Sequence, residues 1–248
     1  MWSASTRRTV TLVDSGLQNP EDVTVDNLGN LYIADTQTHT IKKWTNVTKV
    51  LSTVVSSGLN LPVALVFDAV GNLYIGDHGS QSLKMLPADG TALRTAKTGI
   101  CNMRHICMDT AGDIYIACWG AKAIKKWSVR TGAVVDVVNP TSGYPMGVAA
   151  DLSGNIYFTS SSSVAKTGDG TLQQWSASSG SVRTLTTGLS TPSGVTFDNF
   201  GRIFITNFYG NTVVKFLLVR HMRASVPCLA CFGGLKTYLA SILLQGGR

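Results

Sequence analysis

One phrase recurs five times along this chain: Pro-x-x-apolar-x-apolar-Asp-x-x-Gly-Asn-apolar-Tyr-apolar, with local departures. The copies occupy residues 20–33, 62–75, 103–116, 145–158 and 192–205. Their anchor aspartates, Asp26, Asp68, Asp109, Asp151 and Asp198, fall 42, 41, 42 and 47 residues apart. Each copy begins with bulky apolar residues at alternate positions: Val23 and Val25, Leu65 and Phe67, Ile106 and Met108, Val148 and Ala150, Val195 and Phe197. That period of two is the signature of a strand. The Asp-x-x-Gly segment follows, where Asp initiates a turn through its side chain and Gly supplies a positive φ. A second strand carries an aromatic at a fixed place (Tyr32, Tyr74, Tyr115, Tyr157, Phe204), which predicts packing between neighbouring copies. A third strand follows at residues 41–44, 83–86, 124–127, 172–175 and 213–216, and a fourth at segments such as 134–138 and 182–185. Short strands repeating at this period build blades, so the fold class is all-β, a β-propeller of about five four-stranded blades.

Residues 20–35, which read Pro-x-x-Val-x-Val-Asp-x-x-Gly-Asn-Leu-Tyr-Ile-Ala-Asp, resemble the NHL repeat, and the likeness runs over about residues 1–216. The resemblance implies a propeller, usually of six blades. It implies a recognition domain of the kind found in RNA-binding, protein-binding and extracellular sensor proteins. Related six-bladed propellers include metal-dependent lactonases and a zinc-dependent amidating lyase.

The chain opens in the middle of a blade. Trp2-Ser3-Ala4-Ser5 echoes Trp175-Ser176-Ala177-Ser178, and residues 8–13 read as a fourth strand lacking its first three. The fifth copy lacks a clear fourth strand, so the N-terminal strand is expected to close the last blade, since unpaired edges are a liability. The alternative is an incomplete six-bladed propeller. Residues 1–216 are thus assigned to the propeller and 217–248 to an off-pattern tail. That tail holds a lone Cys228-x-x-Cys231, half of a zinc site at most. Its apolar stretch is broken by Gly233, Gly234 and Lys236 and is no convincing membrane span.

Charge narrows the partners. Four of the 21 basic residues, Arg220, Arg223, Lys236 and Arg248, lie in the tail, which has no acid, so the repeats carry only about +3 of the net +7. Such a balance argues against nucleic acid, which calls for a clustered basic face. Lys42, Lys43, Lys84, Lys125 and Lys126 recur on third strands and are expected to be solvated. The five cysteines show no regular spacing. Cys107 reads as a small core residue, and Cys101 and Cys118, though able to approach each other, as thiols. No signal peptide is apparent, while low charge and abundant Ser and Thr lean weakly towards an exported parent domain.

In a blade, the residues after the proline position and the loop after the second strand share one end. Departures from the repeat at that end are the candidate ligand-binding residues: Asp22, His78, Arg104, His105, Trp119, Asn207 and Tyr209. Asp35 and Asp77 also lie there but follow the repeat, which points to hydrogen bonds with loop amides. Ser160 opens a loop about five residues longer than its counterparts, and added loop length favours recognition. Trp119 and Tyr209 suit stacking on a ligand.

Catalysis finds less support. The lyases related by resemblance use several histidines around zinc, whereas this propeller offers His39, His78 and His105. The lactonases use a glutamate, two asparagines and an aspartate. Here Glu21 is the sole glutamate, and Asn30, Asn72 and Asn155 belong to the turns. No Gly-x-Ser-x-Gly occurs. The reading is a non-catalytic scaffold that binds a peptide, protein segment or glycan, with no metal or other cofactor. The alternatives are a metal-assisted hydrolase or lyase using Asp22, Asp35, His78 and His105, and an RNA binder.

Overall fold

The computed structural model describes residues 2–3, 8–139, 141, 143–162 and 168–217, as two compact units divided at Thr98 and Gly99. Most of the tail, including Cys228 and Cys231, and residues 163–167 of the long loop lie outside the described residues.

The first unit begins with β1 (Trp2–Ser3) paired to β2 (Arg8–Thr9). Two four-stranded antiparallel meanders follow. The first is β3 (Pro20–Val25), β4 (Leu31–Asp35), β5 (Thr40–Trp44) and β6 (Leu51–Val55), with one 3-10 turn at Thr36–Thr38. The second is β7 (Pro62–Phe67), β8 (Leu73–Asp77), β9 (Ser82–Leu86) and β10 (Arg94–Lys97). Ala34, Ile41 and Val55 from the first sheet and Leu65, Leu73 and Ile75 from the second form one buried cluster. Tyr32 meets Phe67 edge to face at 5.0 Å, as the recurring aromatic predicts.

The second unit holds three sheets. The third sheet of the chain is β11 (Met103–Met108), β12 (Ile114–Cys118), β13 (Ala123–Trp127) and β14 (Val134–Val138). The fourth is β15 (Tyr144–Ala150), β16 (Ile156–Ser161), β17 (Gly170–Trp175) and β18 (Val182–Leu189). The fifth is β19 (Pro192–Phe197), β20 (Ile203–Asn207) and β21 (Thr212–Phe216), three strands among the described residues. The described partner of β2 is β1. Tyr115, Ile124, Val148 and Phe158 join the third and fourth sheets, and Tyr157, Leu172, Val195 and Ile205 join the fourth and fifth. Burying each such side chain is worth about 1.5–3 kcal/mol.

The aspartate turn works as its residue types require. Asp151 Oδ1 accepts the N–H groups of Ser153 and Asn155 at 2.9 Å each, and Asp151 Oδ2 accepts from Asn155 Nδ2 at 2.8 Å. Gly154 takes a φ of +78°, a conformation that costs other L-residues. Asn30, Asn72 and Asn155 each turn their side-chain oxygen to a later loop N–H (Asn46, Ala88, Ala177), so these asparagines are structural.

Each first strand begins with a register shift, at Pro20/Asp22, Pro62/Ala64, Met103/His105, Pro145/Val148 and Pro192/Gly194. A bulge of this kind re-aims one side chain out of the ladder. In the third sheet the extra residue is Arg104, since Met103 pairs with Cys118 and His105 with Ala117.

Candidate functional site

The register places the proline position and the loop after the second strand together. Pro20 faces Asp35, Pro62 faces Asp77, Met103 faces Cys118, Pro145 faces Ser160 and Pro192 faces Asn207. The sequence candidates therefore do collect at one end of each sheet, but they divide into framework and surface.

Asp35 and Asp77 are framework. Asp35 Oδ1 accepts the Gln18 N–H at 2.5 Å, and Asp77 Oδ1 accepts the Asn60 N–H at 2.7 Å. Hydroxyls complete each carboxylate: Thr38 donates to Asp35 Oδ2 at 2.7 Å, and Ser80 bonds Asp77 Oδ2. Burial pushes the Asp77 carboxyl up, with the Ser80 and Asn60 bonds pulling against it. Asn207 repeats the device, accepting the Ser190 N–H at 2.6 Å. In every case the clip joins residues 17 apart.

The third sheet makes the same clip covalent. Cys118 holds the aspartate's place, and Cys101, 17 residues earlier, holds the amide's. The two form a disulfide with their Cα atoms 5.6 Å apart. This corrects the expectation of free thiols; once register brings the loops together, the sulfurs meet. Among the described residues Cys107 alone is a free cysteine.

Asp22 and His105 occupy one repeat position and share one task. Asp22 is buried and accepts the N–H groups of Val23 at 2.8 Å and, from the next sheet, Leu65 at 2.7 Å. Its carboxyl is pushed up to about 7 by burial, against the pull of those two bonds. His105 Nδ1 reaches the equivalent place in its own neighbour, 3.2 Å from the Val148 carbonyl oxygen, and burial pushes the imidazole down to about 4. Elsewhere the position is Ala64, Gly147 or Gly194, and a Cβ on Gly147 would come within 2.8 Å of Gly194 Cα. Small residues let adjacent sheets touch, and longer polar ones span the gap.

Ser160 is buried and bonded to Thr171 and Gln173, each at 3.0 Å. Its neighbours Ser161 and Ser162 bond Asp169 across the base of the long loop. His78 is half-buried in a turn, its N–H donating to the Leu61 carbonyl at 3.1 Å. His39 Nδ1 accepts from Leu61 N–H at 3.0 Å. No three His, Cys, Asp or Glu side chains among the described residues are grouped to hold a metal.

The third-strand lysines are not simply solvated. Lys42 pairs with Asp35 at 3.7 Å, Lys43 with Asp26 at 3.8 Å, Lys125 with Asp136 at 2.5 Å and Lys126 with Asp113 at 2.7 Å. Lys84 donates to Thr95 at 2.9 Å.

Arg104 and Trp119 remain, and they belong to a cluster. The Arg104 guanidinium stands over the Trp119 ring at 5.7 Å. Trp119 stacks on Tyr144, with centroids 5.1 Å apart and planes 27° from parallel. The Lys122 ammonium lies 4.4 Å from the centre of the Tyr144 ring. Two rings and two cations thus form a ladder in which each cation gains about 0.5–2 kcal/mol from its ring. Trp119 Nε1 is buried with no acceptor among the described residues. Lys122, exposed, sits at a φ of +48°, the left-handed place that His39, Gln81 and Asn211 hold in other sheets. Tyr144 and Lys122 were not singled out by the sequence. On the fifth sheet the corresponding turn carries Phe208 and Tyr209, each half exposed and packed edge to face at 5.2 Å.

Known proteins agree with this architecture. The sequence model of the NHL repeat matches residues 17–44. No curated protein matches the chain. Among solved structures it is similar to a chain of a nidogen/laminin complex, with a TM-score of 0.68 at 17% identity, covering 80% of this chain and 75% of that one. It is similar to a gluconolactonase from Xanthomonas campestris, at 0.67 and 20%, covering 79% and 71%. A virginiamycin B lyase from Staphylococcus aureus follows at 0.64 and 14%, covering 82% and 71%. At such identities the likeness is one of fold. The matched repeat lies on the first blade sheet, Asp-anchored turns of the same pattern recur on the four sheets that follow, and the chain is a β-propeller that carries an NHL repeat.

Proposed function

We propose that residues 1–216 are a recognition scaffold that binds a peptide, protein segment or glycan, and that the binding surface is centred on the Arg104–Trp119–Tyr144–Lys122 ladder. One observation carries the reading. At the end of the sheets where most candidate side chains hold the framework together, this cluster places two large rings and two cations at a half-exposed turn. Aromatic and arginine side chains in such settings dominate binding energy. The turn is held by a disulfide on one side and the bulge on the other, which keeps the ordering cost of binding low. Phe208 and Tyr209 extend the apolar surface available.

The disulfide also supports an oxidising compartment, in line with an exported parent protein. Among the described residues no helix is long and apolar enough to cross a membrane. Of the similar structures, one comes from a protein–protein complex and two are enzymes. The enzymes lend this chain their fold and no catalytic residue set.

The test is selection of random dodecapeptides, and in parallel of an arrayed glycan set, on the parent protein and on Trp119→Ala. Ligands that bind the parent and lose at least tenfold on Trp119→Ala are expected. Equal capture by both proteins removes the ladder from the binding surface.

A further inference from the structure

We propose that Asn46 is an acceptor for N-linked glycosylation, an oligosaccharide being joined to its side-chain amide nitrogen. The acceptor pattern is Asn-x-Ser/Thr with any residue but proline in the middle. Of the 12 asparagines in the chain, Asn46 has Thr48 two residues on with Val47 between, and Asn139 has Thr141 with Pro140 between. Proline excludes the second, which leaves one candidate. So short a pattern also recurs by chance, and its place in the fold decides.

Asn46, Val47 and Thr48 form the turn between β5 and β6, and all three are exposed. Main chain does the structural work of this turn. The Thr45 N–H donates to the Val50 carbonyl at 2.9 Å, the Lys49 N–H to the Thr45 carbonyl at 2.8 Å, and the Asn46 N–H to Asn30 Oδ1 at 2.9 Å. At the same place in the second and fourth sheets, the N–H groups of Ala88 and Ala177 make that last bond, at 3.0 and 3.1 Å. The framework therefore needs no asparagine side chain here. The Asn46 oxygen accepts from Lys49 Nζ at 3.1 Å. Its Nδ2 makes no hydrogen bond among the described residues and lies beside Gly29, which has no side chain to cover it. By contrast, Nδ2 of Asn30, Asn72, Asn139 and Asn155 each donates to an aspartate. The next residue, Val47, is 85% exposed where the second, third and fourth sheets carry Asp89, Arg130 and Ser178. A bulky, solubilising sugar beside it would shield that apolar side chain.

The proposal rests on the oxidising compartment that the Cys101–Cys118 disulfide supports, and not on the ladder. Leu31 pairs with Trp44 and Asp35 with Thr40, so the turn lies at the end of the first sheet away from Pro20 and Asp35. A glycan on Asn46 thus leaves the opposite end of its blade open. In the transfer, the Asn46 nitrogen bonds to the anomeric carbon of a lipid-diphosphate-linked oligosaccharide. The carbon–oxygen bond to the diphosphate breaks, its electron pair leaves with the lipid diphosphate, and an amide proton goes to base. The Thr48 hydroxyl completes the acceptor.

The test expresses the full chain behind a cleavable secretion leader in cultured eukaryotic cells. Intact mass is read with and without peptide N-glycosidase, and the cysteines of the same sample are labelled. The parent is expected to carry a mass increment that the glycosidase removes, converting Asn46 to an aspartate. Asn46→Gln and Thr48→Ala are expected to lose the whole increment, and Thr48→Ser to keep it. Secreted parent with the bridge formed and no increment overturns the inference and leaves the compartment reading standing. An increment that persists in Asn46→Gln also overturns it. Parent that carries no increment and has Cys101 and Cys118 as thiols overturns both.

Discussion

Asp22 and His105 sit at the same repeat position and should give the protein two opposed pH dependences that nearly cancel. Asp22 titrates near 7 in the folded chain and near 3.8 when unfolded. Its raised value means the folded state holds the proton longer, so its contribution is fully present below about pH 4 and is lost as pH rises to about 7. The difference is about 3 units, or about 4 kcal/mol at 1.36 kcal/mol per unit. His105 runs the other way. It titrates near 4 when folded against an ordinary 6.5, so its contribution is present above 6.5 and lost as pH falls to about 4. That is worth at most about 3 kcal/mol, because the ring keeps some exposure. Between pH 4 and 6.5 the two slopes, each about 1.4 kcal/mol per unit in magnitude, offset one another. Asp22→Asn should therefore gain stability by up to about 3 kcal/mol relative to the parent as pH rises from 4 to 6.5, on top of a constant loss of about 1–3 kcal/mol for the N–H that its amide cannot accept. His105→Gln should lose stability relative to the parent over the same span. Urea unfolding at pH 4, 5, 6 and 7 reads both. Comparing variant with parent cancels groups common to them, including Asp77, whose carboxyl is also pushed up. If Asp22→Asn and the parent run parallel within about 0.5 kcal/mol across that range, the buried carboxyl is not the cause and the reasoning fails.

Opening the Cys101–Cys118 bridge with a double Ser variant should cost about 3 kcal/mol, the value for a closed loop of this length, read as the shift in urea midpoint under oxidising conditions. Replacing the pair by the second sheet's own solution, Cys101→Asn with Cys118→Asp, should recover about 1–2 kcal/mol of that through a carboxylate–amide bond; no recovery would show that the two clips are not equivalent. Gly147→Ala should lower stability by about 1–3 kcal/mol or more, because a Cβ there meets backbone of the fifth sheet, and an unchanged midpoint would contradict the close approach. Asp151→Ala should cost about 2–3 kcal/mol for its three turn bonds, while the same measurement on Phe200→Ala, 78% exposed at another turn, should move little.

The blades were legible because strands and turns are local. Alternation at Val23 and Val25, a hairpin at Asp26 to Asn30 and an aromatic at Tyr32 each declare themselves within a few residues, and repetition removed the ambiguity that short strands carry. The site was legible only as an end of each blade. Asp22 and His105 looked like ligand-facing departures because they are polar where Ala64, Gly147 and Gly194 are small. Their partners are backbone groups at Leu65 and Val148, in the next sheet. A backbone partner places no demand on residue type, so nothing in the sequence marks it. Tyr144 was hidden for a related reason: the residue before the proline position is Asn19, Leu61, Asn102 or Thr191 in other copies, and no pattern there announces a stacking ring.

The disulfide shows what kind of signal could have been found. In the first two sheets the clip joins a side chain to a main-chain N–H, so only the aspartate is constrained, and its helpers are the hydroxyls of Thr38 and Thr40 or of Ser80 and Ser82. In the third sheet both ends are side chains, and the equivalents of those hydroxyls are Ala121 and Ala123. A disulfide has no oxygen to satisfy, so the hydroxyls lose their purpose. The joint change of Asp to Cys, of an unconstrained residue 17 earlier to Cys, and of two hydroxyls to alanine is a coherent exchange of one mechanism for another. It falls in the loop that carries Trp119 and Lys122. The first, second and fifth sheets hold this turn with a hydrogen-bonded clip; the sheet that bears the cation–aromatic ladder holds it with a covalent bond. A turn so fixed presents its rings and charge without having to be ordered by a ligand, which is the physical requirement of a preorganised binding surface.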